Sequence, residues 1–392
     1  MQSVICLSLG GLLLAAAGWT RVTWRAVSVT VALAAFLALT FARPIPADAF
    51  MMGDGSSITH NRGNFDDVIL NDDAIRFSAH LSFWLIGRFD TALGGTDQSP
   101  VTAYRMLSWL VGAVSALSLW LLAASERWSP RALRYVGLAL MAPATLMHFG
   151  YLEVGYLALS PAAFPFVART LVKDDDFTAG LLAGSILFGV GAAMHGIGYL
   201  GIAALGIGVL ACDIPFARRL VLAPTLVAVA LGAALIWLWY YLAVLGADIT
   251  PGHATSGFMV RPLWEAREAE GRILYPLLAG TTARDLLLSS LIAGLPLALV
   301  VLLNRAQWPR EARLALAFTV PCVIALVLFW PVQGVAIELD MIVAIFPAVF
   351  ALLWVCSLSV RASLAGAGLL AFGHAAFWWV VFDPRFVNRM LR

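Results

Sequence analysis

Charged residues are scarce in this sequence. Asp, Glu, Lys and Arg make up 12% of its 392 residues, whereas 61% are hydrophobic, and the mean hydropathy is +0.88. Soluble domains carry about 25% charged residues, so this composition excludes an ordinary soluble enzyme or binding domain. It favours one membrane-embedded domain that covers residues 1–392.

Cysteine clusters and nucleotide-binding motifs are also lacking. The four cysteines, Cys6, Cys212, Cys322 and Cys356, lie in apolar runs, and their spacing matches neither a metal site nor a disulfide framework. We therefore expect them to be packing residues. Neither a Walker A loop nor a dinucleotide fingerprint occurs. We expect no nucleotide cofactor and no nucleic-acid partner.

The first apolar stretch, residues 4–19, lacks the basic residues that precede the apolar core of a secretory signal peptide. Nothing in residues 1–6 is charged. We therefore predict that this stretch is retained as the first membrane helix.

Long apolar runs recur along the chain. A bilayer core of about 30 Å needs about 20 apolar residues per helix, and a β-barrel would instead show shorter alternating segments. The runs predict an all-α polytopic membrane protein with about twelve transmembrane helices. The predicted spans are residues 4–19, 26–42, 101–123, 136–149, 155–172, 177–194, 197–212, 220–245, 286–303, 314–330, 342–358 and 364–382.

Two long polar interruptions, residues 43–100 and 246–285, fall on the same side by span counting. Six short connections on the other side hold thirteen of the 25 basic residues, so the positive-inside rule places these connections in the cytoplasm. Seventeen of the 23 acidic residues then lie on the outer face. Solvated long loops explain most of this excess, and a functional site on that face is the alternative.

The first outer loop holds the strongest catalytic candidate, in the stretch MMGDGSSITHNRGNFDDVILNDD. Asp54 lies between two glycines, which allow a tight turn that directs the carboxylate toward a cavity at the membrane surface. His60 and Arg62 follow it. A carboxylate near the membrane, with a cation a few residues away, suits general-base catalysis on a hydroxyl beside a phosphate leaving group. A polar turn with solvated aspartates is the alternative.

Residues 75–93 of the same loop, IRFSAHLSFWLIGRFDTAL, have apolar residues at helical spacing and four ionisable residues among them. A helix with this pattern lies in the membrane interface rather than crossing it. We predict that it forms one wall of a site that opens to lipid.

In the Asp54 stretch and the helix that follows it, the sequence resembles the GT-C superfamily of membrane glycosyltransferases, which take sugars from polyprenyl-phosphate carriers. It looks closest to bacterial members related to the protein mannosyltransferases and to the aminoarabinose transferases of lipid A. Their pattern is a catalytic Asp in the first outer loop, shortly after a membrane helix, followed by interfacial helices and a many-span body. Asp54 in MMGDG holds that place.

Three further stretches resemble outer turns of the bacterial family. HFGYLEVGYLALS carries Glu153, MHGIGYL carries His195 and QGVAIELDMIVA carries Glu338. The last turn lacks the Arg that the family pattern places before its acidic residue, which puts donor binding by this turn in doubt. For all three residues, helix capping, an interhelical hydrogen bond or simple solvation is the alternative to a role in substrate binding.

The second outer loop contains the stretch RPLWEAREAEGR, with Arg261, Arg267 and Arg272. Guanidinium groups bind phosphate oxygens with paired donors, so these arginines are candidates for the donor phosphate. The alternative is a surface helix in which Glu268 pairs with Arg272 at i,i+4 and Arg267 pairs with Glu270 at i,i+3.

The resemblance implies inverting transfer of a sugar from a polyprenyl-phosphate carrier to a hydroxyl of a glycan, lipid or protein acceptor. It implies a multi-pass protein of the bacterial inner membrane whose site faces the periplasm. Asp54 is the expected base. No metal is expected, although the aspartates of the first loop are oxygen ligands of the kind that Mg²⁺ and Mn²⁺ prefer.

Two other classes of function remain open. A lipid or solute transporter needs ionisable groups along a path through the membrane, and the predicted mid-span positions are almost free of charge. A non-catalytic subunit of an envelope-polysaccharide machine would not need Asp54. Two histidines inside apolar runs, His148 and His374, are predicted to be core residues with satisfied hydrogen bonds.

Overall fold

The structure is a computed structural model. It describes most of the N-terminal 246 residues and the C-terminal helix, with shorter pieces between them. The described residues are 2–42, 81–96, 99–143, 163–164, 167, 179–194, 198–212, 214–246, 260–261, 267–269, 272–274, 284, 287–288, 290–292, 296, 324, 330–331 and 359–381.

Helices account for most of these residues. They are α1 (Gln2–Ala16), α2 (Val22–Ala42), α3 (Leu81–Ala92), α4 (Ser99–Ser125), α5 (Pro130–Met141), α6 (Ala179–Met194), α7 (Tyr199–Ala211), α8 (Phe216–Trp239) and α9 (Val360–Val381). α8 continues into a π-helical turn, Tyr240–Val244. The strands are β1 (Val260–Arg261), β2 (Arg267–Ala269), β3 (Arg272–Leu274) and β4 (Trp330–Pro331). The predicted helical fold class is confirmed, whereas the short strands were not predicted.

Within the described residues, 4 helical segments are long and apolar enough to cross a membrane: Val22–Leu39, Thr102–Ser125, Phe216–Val244 and Val360–Trp379. Shorter apolar helices are Ser3–Ala16, Ala179–Met194 and Tyr199–Ala211. Large apolar side chains also cover the outside of these helices, as Ile236 and Trp379 show with exposures of 72% and 68%. Such surfaces suit contact with lipid. The chain is therefore a helical membrane protein.

Seven predicted spans coincide with described helices, with shifted boundaries in some. The predicted span 136–149 overlaps α5 only over residues 136–141, and its residues after 143 lie outside the described residues. α5 begins at Pro130 rather than at residue 136, because the Ser129 hydroxyl accepts a hydrogen bond from the Ala132 backbone N–H at 3.2 Å and proline occupies the first turn. The predicted spans 155–172, 286–303, 314–330 and 342–358 lie wholly or largely outside the described residues. Trp330, predicted to end a span, lies instead in β4.

α1 and α5 pack closely through two glycines. A Cβ atom added at Gly10 would lie 2.5 Å from the Gly137 carbonyl oxygen and against the Met141 side chain, and one added at Gly137 would lie 2.9 Å from the Gly10 carbonyl oxygen. Small residues allow helix backbones to approach in this way inside a membrane, where packing rather than water exclusion drives helix association.

We expect Gly10→Ala to destabilise the protein by about 1–3 kcal/mol, because the added methyl group has no space between α1 and α5. Gly11→Ala is the matched control, since nothing lies within 4 Å of a Cβ added at Gly11. The control should be neutral or slightly stabilising, because alanine favours helix more than glycine does. Thermal unfolding of the two purified variants measures the difference, and equal midpoints would contradict the close packing.

α6 and α8 pack in a similar way. A Cβ atom at Gly189 of α6 would collide with the Ala230 carbonyl oxygen and would lie 2.7 Å from the Ala233 Cβ. α7 packs on both helices, and its Gly201 lies over the ring of Phe188. These contacts fix the end of α6 beside α8, which matters for the site described below.

His374 of α9 is a buried histidine whose hydrogen bonds join three helices. Its Nε2 lies 2.8 Å from the Met141 carbonyl oxygen of α5, and its Nδ1 lies 3.0 Å from Ser3 Oγ of α1. A carbonyl only accepts, so Nε2 carries the proton and Nδ1 accepts from Ser3 in the neutral ring. Ser3 Oγ also accepts from Trp378 Nε1 at 2.7 Å. The predicted satisfied core histidine is confirmed here, and His148 lies outside the described residues.

Candidate functional site

The predicted site residues are divided between described and undescribed parts of the chain. Arg261 lies in β1, Arg267 in β2 and Arg272 in β3. The other predicted residues lie outside the described residues: Asp54, His60, Arg62, Glu153, His195 and Glu338.

α3 is the described part of the predicted helix 75–93, and the helix prediction is confirmed for Leu81–Ala92. Residues 75–80 lie outside the described residues. One face is buried through Ser82, Ile86 and Asp90, whereas Arg88 is exposed. Burial of one face against the protein is the pattern expected for the predicted interfacial helix, and its place at the membrane interface stays a prediction.

The start of α3 is bonded to the end of α6. Ser82, which is fully buried, donates its hydroxyl proton to the Met194 carbonyl oxygen at 3.1 Å. Met194 is the last residue of α6 and immediately precedes His195. α3 is therefore bonded to the residue that precedes His195, a predicted site residue, in the sequence.

The middle of α3 packs on the end of α8 through an aromatic cluster, defined as Trp84, Trp237, Tyr240 and Tyr241. The Trp84 ring centroid lies 5.4 Å from that of Trp237 and 5.5 Å from that of Tyr240. Trp237 is stacked on Tyr240 at 6.0 Å and lies 5.7 Å from Tyr241. Aromatic pairs at these distances contribute about 0.5–1.5 kcal/mol each beyond the area that they bury.

The aromatic cluster coincides with a change in the backbone of α8. The Leu245 N–H donates to the Tyr240 carbonyl oxygen at 3.1 Å, five residues back, which closes a π-helical turn. Tyr241 within this turn is fully buried. Such turns are rare and occur frequently at functional sites. Here the turn places Tyr240 against Trp84 of α3 and Tyr241 against Trp237 of α8, just before the second long loop.

The end of α3 is fixed to the start of α4. Asp90, with an exposure of 3%, accepts a hydrogen bond from the Ser99 hydroxyl through its carboxylate. The Asp90 carbonyl oxygen accepts from the Gly95 N–H at 3.1 Å. Gly94 and Gly95 have φ values of 88° and 61°, which glycine adopts without strain. The chain immediately after α3 is therefore held by backbone hydrogen bonds of Leu93, Gly94 and Gly95.

A double-mutant cycle of Asp90→Ala and Ser99→Ala tests this connection. We expect Ser99→Ala to destabilise the protein by about 1–3 kcal/mol, because it leaves the buried Asp90 carboxylate without this donor. Asp90→Ala should cost less, because the Ser99 hydroxyl keeps the Thr96 carbonyl oxygen at 2.8 Å as an acceptor. The double variant should lose less than the sum of the two single losses, with a coupling energy of about 1 kcal/mol or more. Strict additivity in thermal or chemical unfolding would contradict a direct Asp90 to Ser99 bond.

β1 and β4 join the second outer loop to a late part of the chain. They pair antiparallel, with Val260 opposite Pro331 and Arg261 opposite Trp330. β4 directly precedes the stretch QGVAIELDMIVA, in which Glu338 lies. The pairing of β1 with β4 therefore holds the backbone of Arg261 next to the segment that precedes a predicted outer turn.

β2 and β3 form an antiparallel hairpin, with Arg267 opposite Leu274 and Ala269 opposite Arg272. The surface helix considered for this stretch is wrong, because Arg267–Ala269 and Arg272–Leu274 are paired strands, so the helical i,i+4 and i,i+3 spacings do not apply to it. A sequence signal for the hairpin exists, because the two residues between the strands are Glu270 and Gly271, and glycine favours two-residue hairpin loops.

Contacts between elements join segments that span counting assigns to the same side. α3 contacts the ends of α6 and α8, and β1 contacts β4, all on the predicted outer face. On the other face, Arg25 Nη1 donates to the Trp128 carbonyl oxygen at 3.3 Å, which joins two of the short basic connections. The count of the spans and their orientation stay predictions.

The sequence prediction missed most of the aromatic cluster. Trp84 was predicted only as an apolar residue of the interfacial helix. Trp237, Tyr240 and Tyr241 were predicted only as residues of the span 220–245. The dense aromatic run WLWYY near the end of that span was the available signal, because tryptophan and tyrosine are enriched where helices leave the membrane.

Neither a protein-family model nor a curated protein matches the sequence significantly. A solved structure that matches the chain is the crystal structure of the Archaeoglobus fulgidus oligosaccharyltransferase in the apo form. The two are 13% identical, the match covers 93% of this chain and 55% of that chain, and the TM-score is 0.46. This chain thus spans about half the length of that protein.

Proposed function

We propose that this protein is a membrane glycosyltransferase that moves a sugar from a polyprenyl-phosphate carrier to an acceptor hydroxyl on the outer face of a bacterial inner membrane. The acceptor is a glycan, lipid or protein of the cell envelope. The support comes from residues of this chain: the Asp54 stretch with its GT-C resemblance, and the contacts that α3 makes.

The docking of α3 is the observation that carries the proposal. α3 follows the Asp54 stretch within the first outer loop, and it contacts Met194 beside His195 and the end of α8 before the second outer loop. α3 thus contacts the ends of α6 and α8, which in the sequence precede the stretches that carry His195 and the arginines of the second long loop. A loop that only connected two spans would not need a helix bonded at its start, middle and end.

The proposed reaction is a single displacement. The Asp54 carboxylate takes the proton of the acceptor hydroxyl, and the acceptor oxygen forms a bond to the anomeric carbon of the sugar. The bond between this carbon and the phosphate oxygen breaks, and polyprenyl phosphate leaves with the electron pair. Attack opposite to the leaving group inverts the anomeric configuration. Neither a metal nor a nucleotide takes part in the proposed step.

The arginines of the second outer loop have a proposed role at the leaving group. Arg261, Arg267 and Arg272 are candidates to stabilise the phosphate as its negative charge develops. Arg62 and His60 supply positive charge or hydrogen-bond donors near Asp54. Glu153, His195 and Glu338 are proposed to bind sugar hydroxyls.

The test is turnover by the purified full-length protein with a panel of synthetic polyprenyl-phosphate sugars. We expect release of polyprenyl phosphate in proportion to the glycoside that is formed, and NMR of the product should show the anomeric configuration opposite to that of the donor. Movement of the intact donor across proteoliposome membranes without product would instead identify a transporter. Retention of configuration would exclude the single displacement.

A further inference from the structure

The connections between α1 and α2 and between α4 and α5 are rich in arginine. Five arginines and one acidic residue lie in or next to them: Arg21, Arg25, Glu126, Arg127, Arg131 and Arg134. Span counting puts both connections on the predicted cytoplasmic side. The excess of positive charge suits an anionic partner.

One guanidinium joins the two connections. Arg25 Nε donates to the Trp19 carbonyl oxygen at 2.7 Å, and Arg25 Nη1 donates to the Trp128 carbonyl oxygen at 3.3 Å. Arg21 follows Trp19 by two residues, and it is exposed. Arg127 directly precedes Trp128 and is also exposed. The fold therefore holds two exposed arginines in neighbouring connections before a ligand binds, which lowers the cost of bringing them together.

Arg127 has a backbone conformation that favours glycine. Its φ is 52°, in the left-handed region. The Arg127 N–H donates to the Ala124 carbonyl oxygen at 2.9 Å, and the Trp128 N–H donates to the Ala123 carbonyl oxygen at 2.8 Å. This is the Schellman pattern that ends a helix, in which glycine usually occupies the left-handed position. Because Arg127 is exposed, packing does not explain an arginine at this strained position, and such strain indicates a functional side chain.

Tryptophans flank these arginines and favour a lipid as the source of the anion. Trp19 and Trp24 are 41% and 54% exposed. Trp128 packs edge-on against Trp120, with ring centroids 5.4 Å apart. Tryptophan is enriched where helices leave the membrane, and basic residues beside a span bind anionic headgroups. A soluble anion would not need the exposed tryptophans.

We propose that Arg21 and Arg127 form a binding site for the headgroup of an anionic phospholipid, with Trp19 and Trp24 beside its acyl chains. The guanidinium groups of Arg21 and Arg127 bind the phosphate oxygens. Arg25 keeps its bonds to both connections and acts as a positioning residue. The site goes beyond the proposed glycosyl transfer and does not depend on it.

Lipid binding to the purified full-length protein in a neutral detergent tests the site with three probes: phosphatidylglycerol, phosphatidylcholine with the same acyl chains, and soluble glycerol 3-phosphate. Native mass spectrometry at increasing lipid concentration gives the Kd of the first bound lipid. We expect phosphatidylglycerol to bind more tightly than both other probes. Arg21→Gln and Arg127→Gln should each raise its Kd about fivefold, the contribution of one arginine beside anionic lipid.

Arg127→Gly separates the charge from the backbone conformation. The substitution removes the guanidinium and also the strain at this position. We expect it to weaken phosphatidylglycerol binding as much as Arg127→Gln does, while the thermal unfolding midpoint of the lipid-free protein does not fall. A purely structural role of Arg127 would give the reverse: a lower midpoint with unchanged lipid affinity.

Arg218→Gln is the matched control for the loss of one positive charge. Arg218 lies in the first turn of α8, which packs on α6 and α7, and span counting puts it on the same predicted side. Its Kd for phosphatidylglycerol should equal that of the unaltered protein. An equal loss of affinity in Arg218→Gln and Arg127→Gln would mean attraction to the overall charge and would overturn the site.

Three other results would also overturn the site. They are equal affinity for phosphatidylglycerol and phosphatidylcholine, unchanged affinity in both Arg21→Gln and Arg127→Gln, and binding of glycerol 3-phosphate as tight as that of phosphatidylglycerol. The last result would identify a site for a soluble anion instead of a lipid.

Discussion

Asp54→Asn is expected to lower the rate of sugar transfer by about 10²–10⁴-fold, the usual contribution of a general base. The amide has nearly the same size as the carboxylate and still forms hydrogen bonds, but it cannot take the acceptor proton. Binding of the polyprenyl-phosphate sugar should change little, because Asp54 is proposed to act on the acceptor. Turnover and donor affinity of the purified variant, measured side by side, check both statements.

Other aspartates of the same loop provide the controls for this variant. Asp66→Asn and Asp72→Asn remove the same charge from the stretch that contains Asp54, and we expect each to keep most of the activity. If all three variants lost activity to the same degree, the loop would act through its net charge rather than through one base. Full turnover by Asp54→Asn would rule out its catalytic role.

The helices were predictable because the residues within each apolar segment are enough to determine that it is helical. Runs of apolar residues long enough to span a bilayer leave few alternatives to helix, since every backbone polar group needs a partner inside lipid. α2, α4, α8 and α9 follow directly from this rule. The start of α5 was missed because Ser129 and Pro130 define it before the apolar run begins.

The strands of the second outer loop could not be derived from side-chain spacing. Between Arg267 and Arg272, acidic residues lie three or four positions from each arginine, a spacing that also suits ion pairs on a helix. The choice depends on the turn at Gly271 and, for β1, on pairing with β4 about 70 residues later, as Arg261 opposite Trp330 shows. Contacts at such separations are set by the arrangement of the spans.

The residues of the candidate site also divide into those that the local sequence predicts and those that depend on contacts between distant segments. Asp54 was selected by local pattern and resemblance, and it stays a prediction. The aromatic cluster arises only when α3 folds back onto α8, so no single stretch contains it. The isolated signals, WLWYY in one span and an amphipathic stretch in the first loop, do not indicate that they meet.

Because α6, α8 and α4 all contact α3, we propose that this helix positions reacting groups in the proposed reaction. Its contacts at Ser82, Trp84 and Asp90 connect the first outer loop to α6, α8 and α4. Misplacement of reacting groups by about 1 Å can cost about 10²-fold in rate. Loss of the contact in the middle of α3 should therefore affect transfer as well as stability.

Trp237→Ala is expected to destabilise the protein by about 3–5 kcal/mol, because it removes a large buried ring and leaves a cavity. Trp237 has an exposure of 7% and contacts Trp84, Tyr240 and Tyr241. Trp239→Ala is the matched control on the same helix, since Trp239 is 64% exposed, and we expect it to change stability by less than about 0.5 kcal/mol. Thermal unfolding of both variants measures this contrast.

Hydrogen exchange separates loss of the α3 contact from general unfolding in these variants. In Trp237→Ala, the amides of Leu81–Ala92 should exchange faster, while those of α1 and α5, which pack through Gly10 and Gly137, should stay protected. Trp237→Phe keeps an aromatic ring at the same place and should show a smaller change of the same kind. Unchanged exchange in α3 would mean that the Ser82 and Asp90 bonds alone fix this helix, and the aromatic cluster would then be packing without influence on the site.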